Sequence, residues 1–294
     1  MSSTASKWLT GCGVGCGAIF LVMFAVGTWG FLFVKSKMQG FAEAETASHE
    51  LRQKYGRLED FRPAPDGRIA PERMEVFLKV RENLAPARRT LESSFQDLAE
   101  GIDQASDGQE SFPQVLDIIG QAFGMVPKLG RFQAERNHEL LASGMSPGEY
   151  FYVYVLAYYT WLHKSPGDGP RFRIQGQENV NHDGPEEEPD VRQERIATLT
   201  RQARRVFLAM LRNQQAGLEG GLAEAPPDPW RKALAREIEA LESSPSHLPW
   251  QGGLPAAIEA SLQPFRTKLE QSYSPLINPL ELEMPIAAGR RGHR

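Results

Sequence analysis

Hydrophobic and polar positions change their pattern several times along the chain, and each pattern predicts a different element. The first is a run without Asp, Glu, Lys or Arg from Trp8 to Val34, almost wholly apolar from Ala18 onward. A hydrocarbon core needs about 20 helical residues to span it, so the run predicts a single transmembrane helix over residues 12–34. Lys7 and Trp8 stand at one edge and Lys35 and Lys37 at the other, where snorkelling ammonium groups and aromatic rings are stable. The small-x-small triplet Ala42-Glu43-Ala44 resembles a cleavage site, but the apolar run exceeds a signal peptide's h-region. An uncleaved anchor is the expectation, with residues 1–38 as the N-terminal segment.

Beyond the anchor, apolar residues recur at helical spacing. Residues 39–62 are polar and helix-prone, and predict a juxtamembrane stalk. "FRPAPDGRIAPER" ends it, because Pro63 and Pro65 oppose helix and Asp66-Gly67 favours a turn. Pro71 suits a first helical turn, and Met74, Phe77, Leu84, Leu91, Phe95 and Leu98 form one stripe, bent at Pro86. A helical pair follows, with Val115, Leu116, Ile118, Ile119 and Phe123 on one member and Leu129, Phe132, Leu140 and Leu141 on the other. Gly144 closes it as a C-cap.

"SPGEYFYVYVLAYYTWLHK" carries the strongest local signal. Its tyrosines alternate as in a strand at 150, 152 and 154, but Ser146-Pro147-Gly148-Glu149 reads as a capping box with proline at N1 and predicts helix. Apolar or aromatic on every face and too short to span a bilayer, it is expected to be the helix around which the others pack. Buried phenols need partners, so the tyrosines either bond to neighbouring helices or line a cavity. The ligand-lining candidates are Tyr150, Tyr152, Tyr154, Tyr158, Tyr159 and Trp161, for an apolar or aromatic ligand.

Residues 166–190 lose periodicity to Gly, Pro and acidic residues and predict a loop that divides the helical domain into parts 63–165 and 191–284. Helix resumes near 190–217, with Ile196, Leu199, Ala203, Val206 and Met210 inward. Arg192, Arg195, Arg201, Arg204, Arg205 and Arg212 lie outward, either solvated or facing acidic lipid or an acidic partner. Leu234, Ile238 and Leu241 mark a helix over 229–243, and Leu254–Tyr273 reads as another, interrupted at Pro264. The tail is expected to drape over the core, with 285–294 a flexible basic end.

Composition narrows the function. Lys+Arg at 33 against Asp+Glu at 37 gives a net charge of −4, which disfavours a nucleic-acid partner. The two cysteines are Cys12 and Cys16, so thiol chemistry and disulfides have no place in the domain. "LTGC" resembles the lipobox of bacterial lipoproteins, yet Cys12 precedes the apolar segment where that family's cysteine follows it. Gly11 with Gly15, Gly13 with Gly17 and Cys12 with Cys16 share helix faces, spacing that suits a homodimer seam or simply a loose glycine-rich helix start. A domain free of cysteine and rich in proline suits the oxidising outer side of a bacterial-type inner membrane, although the flanking lysines lean the other way.

Catalytic motifs are missing. "NHEL" at Asn137–Leu140 lacks the second zincin histidine, and the run from Asp103 lacks two EF-hand ligands, at Ala105 and Gln114. No metal or cofactor is expected, and the open route to a site is convergence in space of helix-borne Glu and His residues, such as Glu149 with His138 or His163. The sequence therefore predicts an all-α protein: an N-terminal single transmembrane helix followed by an irregular multi-helix bundle. Its expected role is a non-enzymatic interaction or structural module of a cell envelope, with the bilayer, a second copy or another protein as partner; the alternative is a tethered ligand-binding domain.

Overall fold

The structure, a computed structural model, describes residues 39–106, 112–170, 191–220 and 228–282, and these are helical with no strand among them. The expected anchor at 12–34, its seam (Gly11, Cys12, Gly13, Gly15, Cys16, Gly17), most of the acidic loop and the basic tail lie outside the described residues. No helix among the described residues is long and apolar enough to cross a membrane.

The segment expected to be a free stalk is part of the domain. Helix α1 (Gln39–Tyr55) buries Ala44, Ala47 and Leu51, a stripe of small and apolar residues that lies along α4. Gly56 ends it at φ +78°, returning its N–H to the Arg52 carbonyl at 2.9 Å. A 3₁₀ turn (Leu58–Asp60) and an extended stretch follow, closed at its far end by a turn in which Gly67 N–H bonds to the Ala64 carbonyl at 2.8 Å. Gly67 sits at φ +73° against the Trp230 ring, where a Cβ has no room.

Helix α2 (Pro71–Asn83) starts on proline, and α3 (Ala85–Ser106) carries Pro86 in its first turn. Pro86 lacks the N–H that the Glu82 carbonyl would need, so the expected bend is a break between two helices. The pair expected at 115–141 is instead one helix, α4 (Phe112–Ser143), that continues through Pro127. Its residues Met125 and Phe132 pack with Leu91, Phe95 and Leu98 of α3 and with Ile277, and this second small core spans the proline and holds the axis together. Gly144 at φ +66° closes α4: its N–H bonds to the Leu141 carbonyl and that of Met145 to the Leu140 carbonyl at 3.0 Å.

The tyrosine helix begins as α5 (Pro147–Tyr154) and widens into a π-helical segment (Val155–Trp161). Ser146 accepts the Glu149 N–H at 3.0 Å, as the cap predicts, but the Glu149 carboxylate is taken by Arg73 of α2. Ser146→Ala is expected to cost about 1 kcal/mol, read as a shift of the urea midpoint with the slope unchanged. Every residue from Tyr150 to Thr160 is buried, so the helix is the axis of the main core.

Helices α6 (Val191–Glu219) and α7 (Asp228–Ser243) close one side of that core with Phe207, Met210, Leu234 and Leu241. Most of the α6 arginines are internal staples. Arg204 caps the last carbonyls of α7 at Leu241 and Glu242, Arg212 pairs with Glu242 at 2.7 Å, and Arg195 reaches the carbonyls of Gly167 and Pro170. α8 (Ala256–Leu262), a 3₁₀ turn at Pro264 and α9 (Arg266–Ser272) lead to a short α10 (Asn278–Leu282). That last helix does not drape over the surface, because Ile277, Asn278, Glu281 and Leu282 are all buried.

Candidate functional site

Among the described residues a small set of charged groups is buried together in the interior. Arg81 of α2 lies on the buried stripe with Met74, Phe77 and Leu84, and is itself fully buried. Its Nη1 stands 3.0 Å from Glu281 Oε1 and donates to the Tyr150 hydroxyl at 2.9 Å, and its Nη2 donates to the Ser272 carbonyl. The guanidinium lies 5.0 Å from the Tyr158 ring, 5.2 Å from that of Tyr154 and 5.9 Å from that of Phe77. An aromatic cage thus supplies part of the solvation that water would otherwise give the cation.

Arg88, one heptad on, donates to the carbonyls of Arg81 and Ser272 and approaches Glu281 Oε1 at 3.5 Å. Arg136 of α4 donates to the carbonyls of Leu280 at 2.7 Å and Glu281 at 3.2 Å, tying down the end of α10. Three buried guanidiniums therefore surround one buried carboxylate. Burial alone would raise the Glu281 carboxyl, but Arg81 and Arg88, with the Tyr150 hydroxyl and Arg136, hold it below its usual range.

The tyrosines complete the network. Tyr150 donates to Glu281 Oε2 at 2.7 Å, Tyr152 to the Gly67 carbonyl at 3.0 Å, and Tyr158 shares a 2.8 Å bond with Ser272 Oγ. Tyr154 and Tyr159 both donate to Asn278 Oδ1, at 3.0 and 2.9 Å. Residues five apart meet one acceptor because the π segment turns more slowly than an α-helix, and π segments of this kind cluster at special sites in folds. Burial pushes the phenols of Tyr150, Tyr152, Tyr154, Tyr158 and Tyr159 upward, so at neutral pH they are neutral donors and not bases.

Trp161 is half-buried at the helix end with Arg266 at 5.3 Å from its ring. Tyr150, Tyr154, Tyr158 and Tyr159 are brought together, whereas Tyr152 faces Phe61 and Phe207, and each of the five spends its hydroxyl on a protein partner. Glu149 does not converge with His138 or His163, being held by Arg73. Among the described residues no group of three or more His, Cys, Asp or Glu could hold a metal ion. Sequence reasoning missed Arg81, Arg88, Arg136, Asn278 and Glu281. A signal existed for the arginines: 77, 81, 84, 88, 91, 95 and 98 is an unbroken three-four stripe that includes both Arg81 and Arg88.

Chemically, the arrangement is a closed ionic lock joining α2, α3, α4, α5 and the C-terminal segment. No family model matches the chain, and comparison with curated proteins and with solved structures gives no match either. The roles of these residues therefore rest on their own geometry.

Proposed function

We infer that this protein is a non-enzymatic, membrane-tethered helical module, with residues 12–34 as a single-pass anchor in a bacterial-type inner membrane and the helical domain on the extracytoplasmic side. Its work is interaction or support within the envelope. The observation that carries the non-catalytic reading is the ionic lock: the strongest chemistry of the described chain is buried and spent on joining segments. The runner-up, an apolar ligand held by the tyrosine helix, has less support because each phenol is already bonded within the protein.

The outer face of the domain suits polar contacts. Among the side chains that the structure describes, Val126 is the one large hydrophobic left exposed, which favours polar over apolar contacts on those faces. Glycine and cysteine pairs from Gly11 to Gly17 would let two anchors pack closely.

Cell fractionation tests the tether. The full chain, tagged at its C-terminus, is expected in the membrane pellet after alkaline carbonate washing, with the tag digested by protease once the outer barrier is opened. A soluble chain would overturn the anchor, and a protected tag would overturn the orientation.

A further inference from the structure

We propose that a surface cleft between α1, the Leu58–Asp60 turn and α6 binds a hydroxyl-bearing phosphate ester, of the chemistry shared by glycerol phosphate and a phosphoglycerol lipid headgroup. The cleft has a volume of about 380 Å³, with Arg52, Arg57, Glu59, Asn137, Gln202 and Arg205 among its walls. That volume falls in the range of small-molecule sites.

The charges of the cleft are unbalanced. Arg57 is engaged by Asp60, which accepts its backbone N–H at 2.8 Å and its Nη2 at 3.1 Å. Arg52 of α1 and Arg205 of α6 have no carboxylate within ion-pair distance among the described residues, although Arg52 is near enough to Asp60 to help lower its carboxyl, and both are exposed. Two guanidiniums facing one small space suit an anion that accepts from both, and their planar forks match phosphate oxygens.

The inner wall holds an unused acceptor. Asn137 is fully buried, and its Nδ2 donates to the Ala44 carbonyl at 3.2 Å and to Ser48 Oγ at 2.9 Å. The carbonyl can only accept, which fixes the amide orientation and leaves Oδ1 with no donor. A buried acceptor without a donor is costly, and a ligand hydroxyl would satisfy it. The Glu59 carboxylate offers a second acceptor for hydroxyls on the same ligand. Phosphate for the arginines and hydroxyls for Asn137 and Glu59 together define the polyol phosphate.

The cleft is also preformed. Asn213 of α6 donates to the Glu59 carbonyl at 2.9 Å, locking the turn to one wall. Gly148 lies so close to the Leu58 carbonyl and the Phe61 side chain that a Cβ would not fit, which locks it to α5. A site that needs no ordering on binding keeps more of its contact energy as affinity. The inference is independent of the tether and of the direction the domain faces.

Titration calorimetry on the full chain in a neutral maltoside detergent tests it, with glycerol 3-phosphate and a short-chain phosphatidylglycerol as separate probes and short-chain phosphatidylcholine as the neutral control. Saturable binding of either anionic probe at about millimolar concentration or below is expected, weakened roughly tenfold or more by Arg52→Glu or Arg205→Glu, with helicity unchanged. Binding of both probes would point to a soluble ligand, and binding of the lipid alone to a headgroup. The remote change Arg236→Glu is expected to have no effect. Absence of saturable binding by both probes, or equal weakening by Arg236→Glu, would overturn the proposal.

Discussion

Glu281→Gln is expected to destabilise the domain by about 3–5 kcal/mol, because it leaves the buried guanidiniums of Arg81 and Arg88 without their anion. For a chain of this size that is a fall of about 10 °C in Tm, measurable by circular dichroism or calorimetry. The loss should not be the sum of its parts. Replacing both partners, as in Arg81→Met with Glu281→Leu, removes the stranded charge along with its counter-ion and is expected to recover much of the stability. A double variant as unstable as the sum of the two singles would show that Arg81 and Glu281 act independently.

The pH dependence has a definite sign. The folded-state carboxyl of Glu281 titrates below its unfolded value of about 4.5, so its contribution is fully present above that value and is lost as pH falls through the folded one. Wild-type stability should therefore drop on acidification below pH 4.5 more steeply than that of Glu281→Gln, which has no proton to take up there. Parallel curves for the two proteins in that window would contradict the buried ion pair.

Asn278→Ala is expected to cost about 3–4 kcal/mol in urea unfolding, since it orphans the hydroxyls of Tyr154 and Tyr159 and the carbonyls of Pro166 and Asp168. A second substitution set separates lost hydrogen bonds from lost packing. Combining Asn278→Leu with Tyr154→Phe and Tyr159→Phe removes the acceptor and both donors while keeping volume, and should restore a large part of the loss. If it does not, the role of Asn278 lies in its bonds to the 165–168 carbonyls, the only partners the combined variant leaves unmet. Either result reports on the C-terminal segment, whose burial depends on Asn278 and Glu281 together.

These two residues also show where the sequence stops being informative. The all-α class was legible because apolar residues recur at three and four positions in the long helices, and because Ser146, Pro147 and Gly144 are local signals whose chemistry acts within one turn. The centrality of the tyrosine helix was legible for the same reason, since a segment apolar on all faces has nowhere else to go. Even Arg81 and Arg88 could have been read as stripe positions, although a sequence does not say what would neutralise them.

What only the tertiary structure decided is what comes from far away in the chain. Helix α1 looked like a stalk because its sequence is polar and helix-prone, and only the presence of α4 shows that the narrow stripe of Ala44, Ala47 and Leu51 is wide enough to dock. The segment around Glu281 and Asn278 has no periodicity long enough to predict its burial, yet it lies against residues well over a hundred positions earlier. Hydrogen bonds and ion pairs between distant segments leave no periodic trace, because each partner looks locally like an ordinary polar residue. The sequence by itself thus determined the helices and their apolar faces, which short-range chemistry sets. The pairing of those faces, the ionic lock that joins them and the cleft left between them were decided by three-dimensional packing alone.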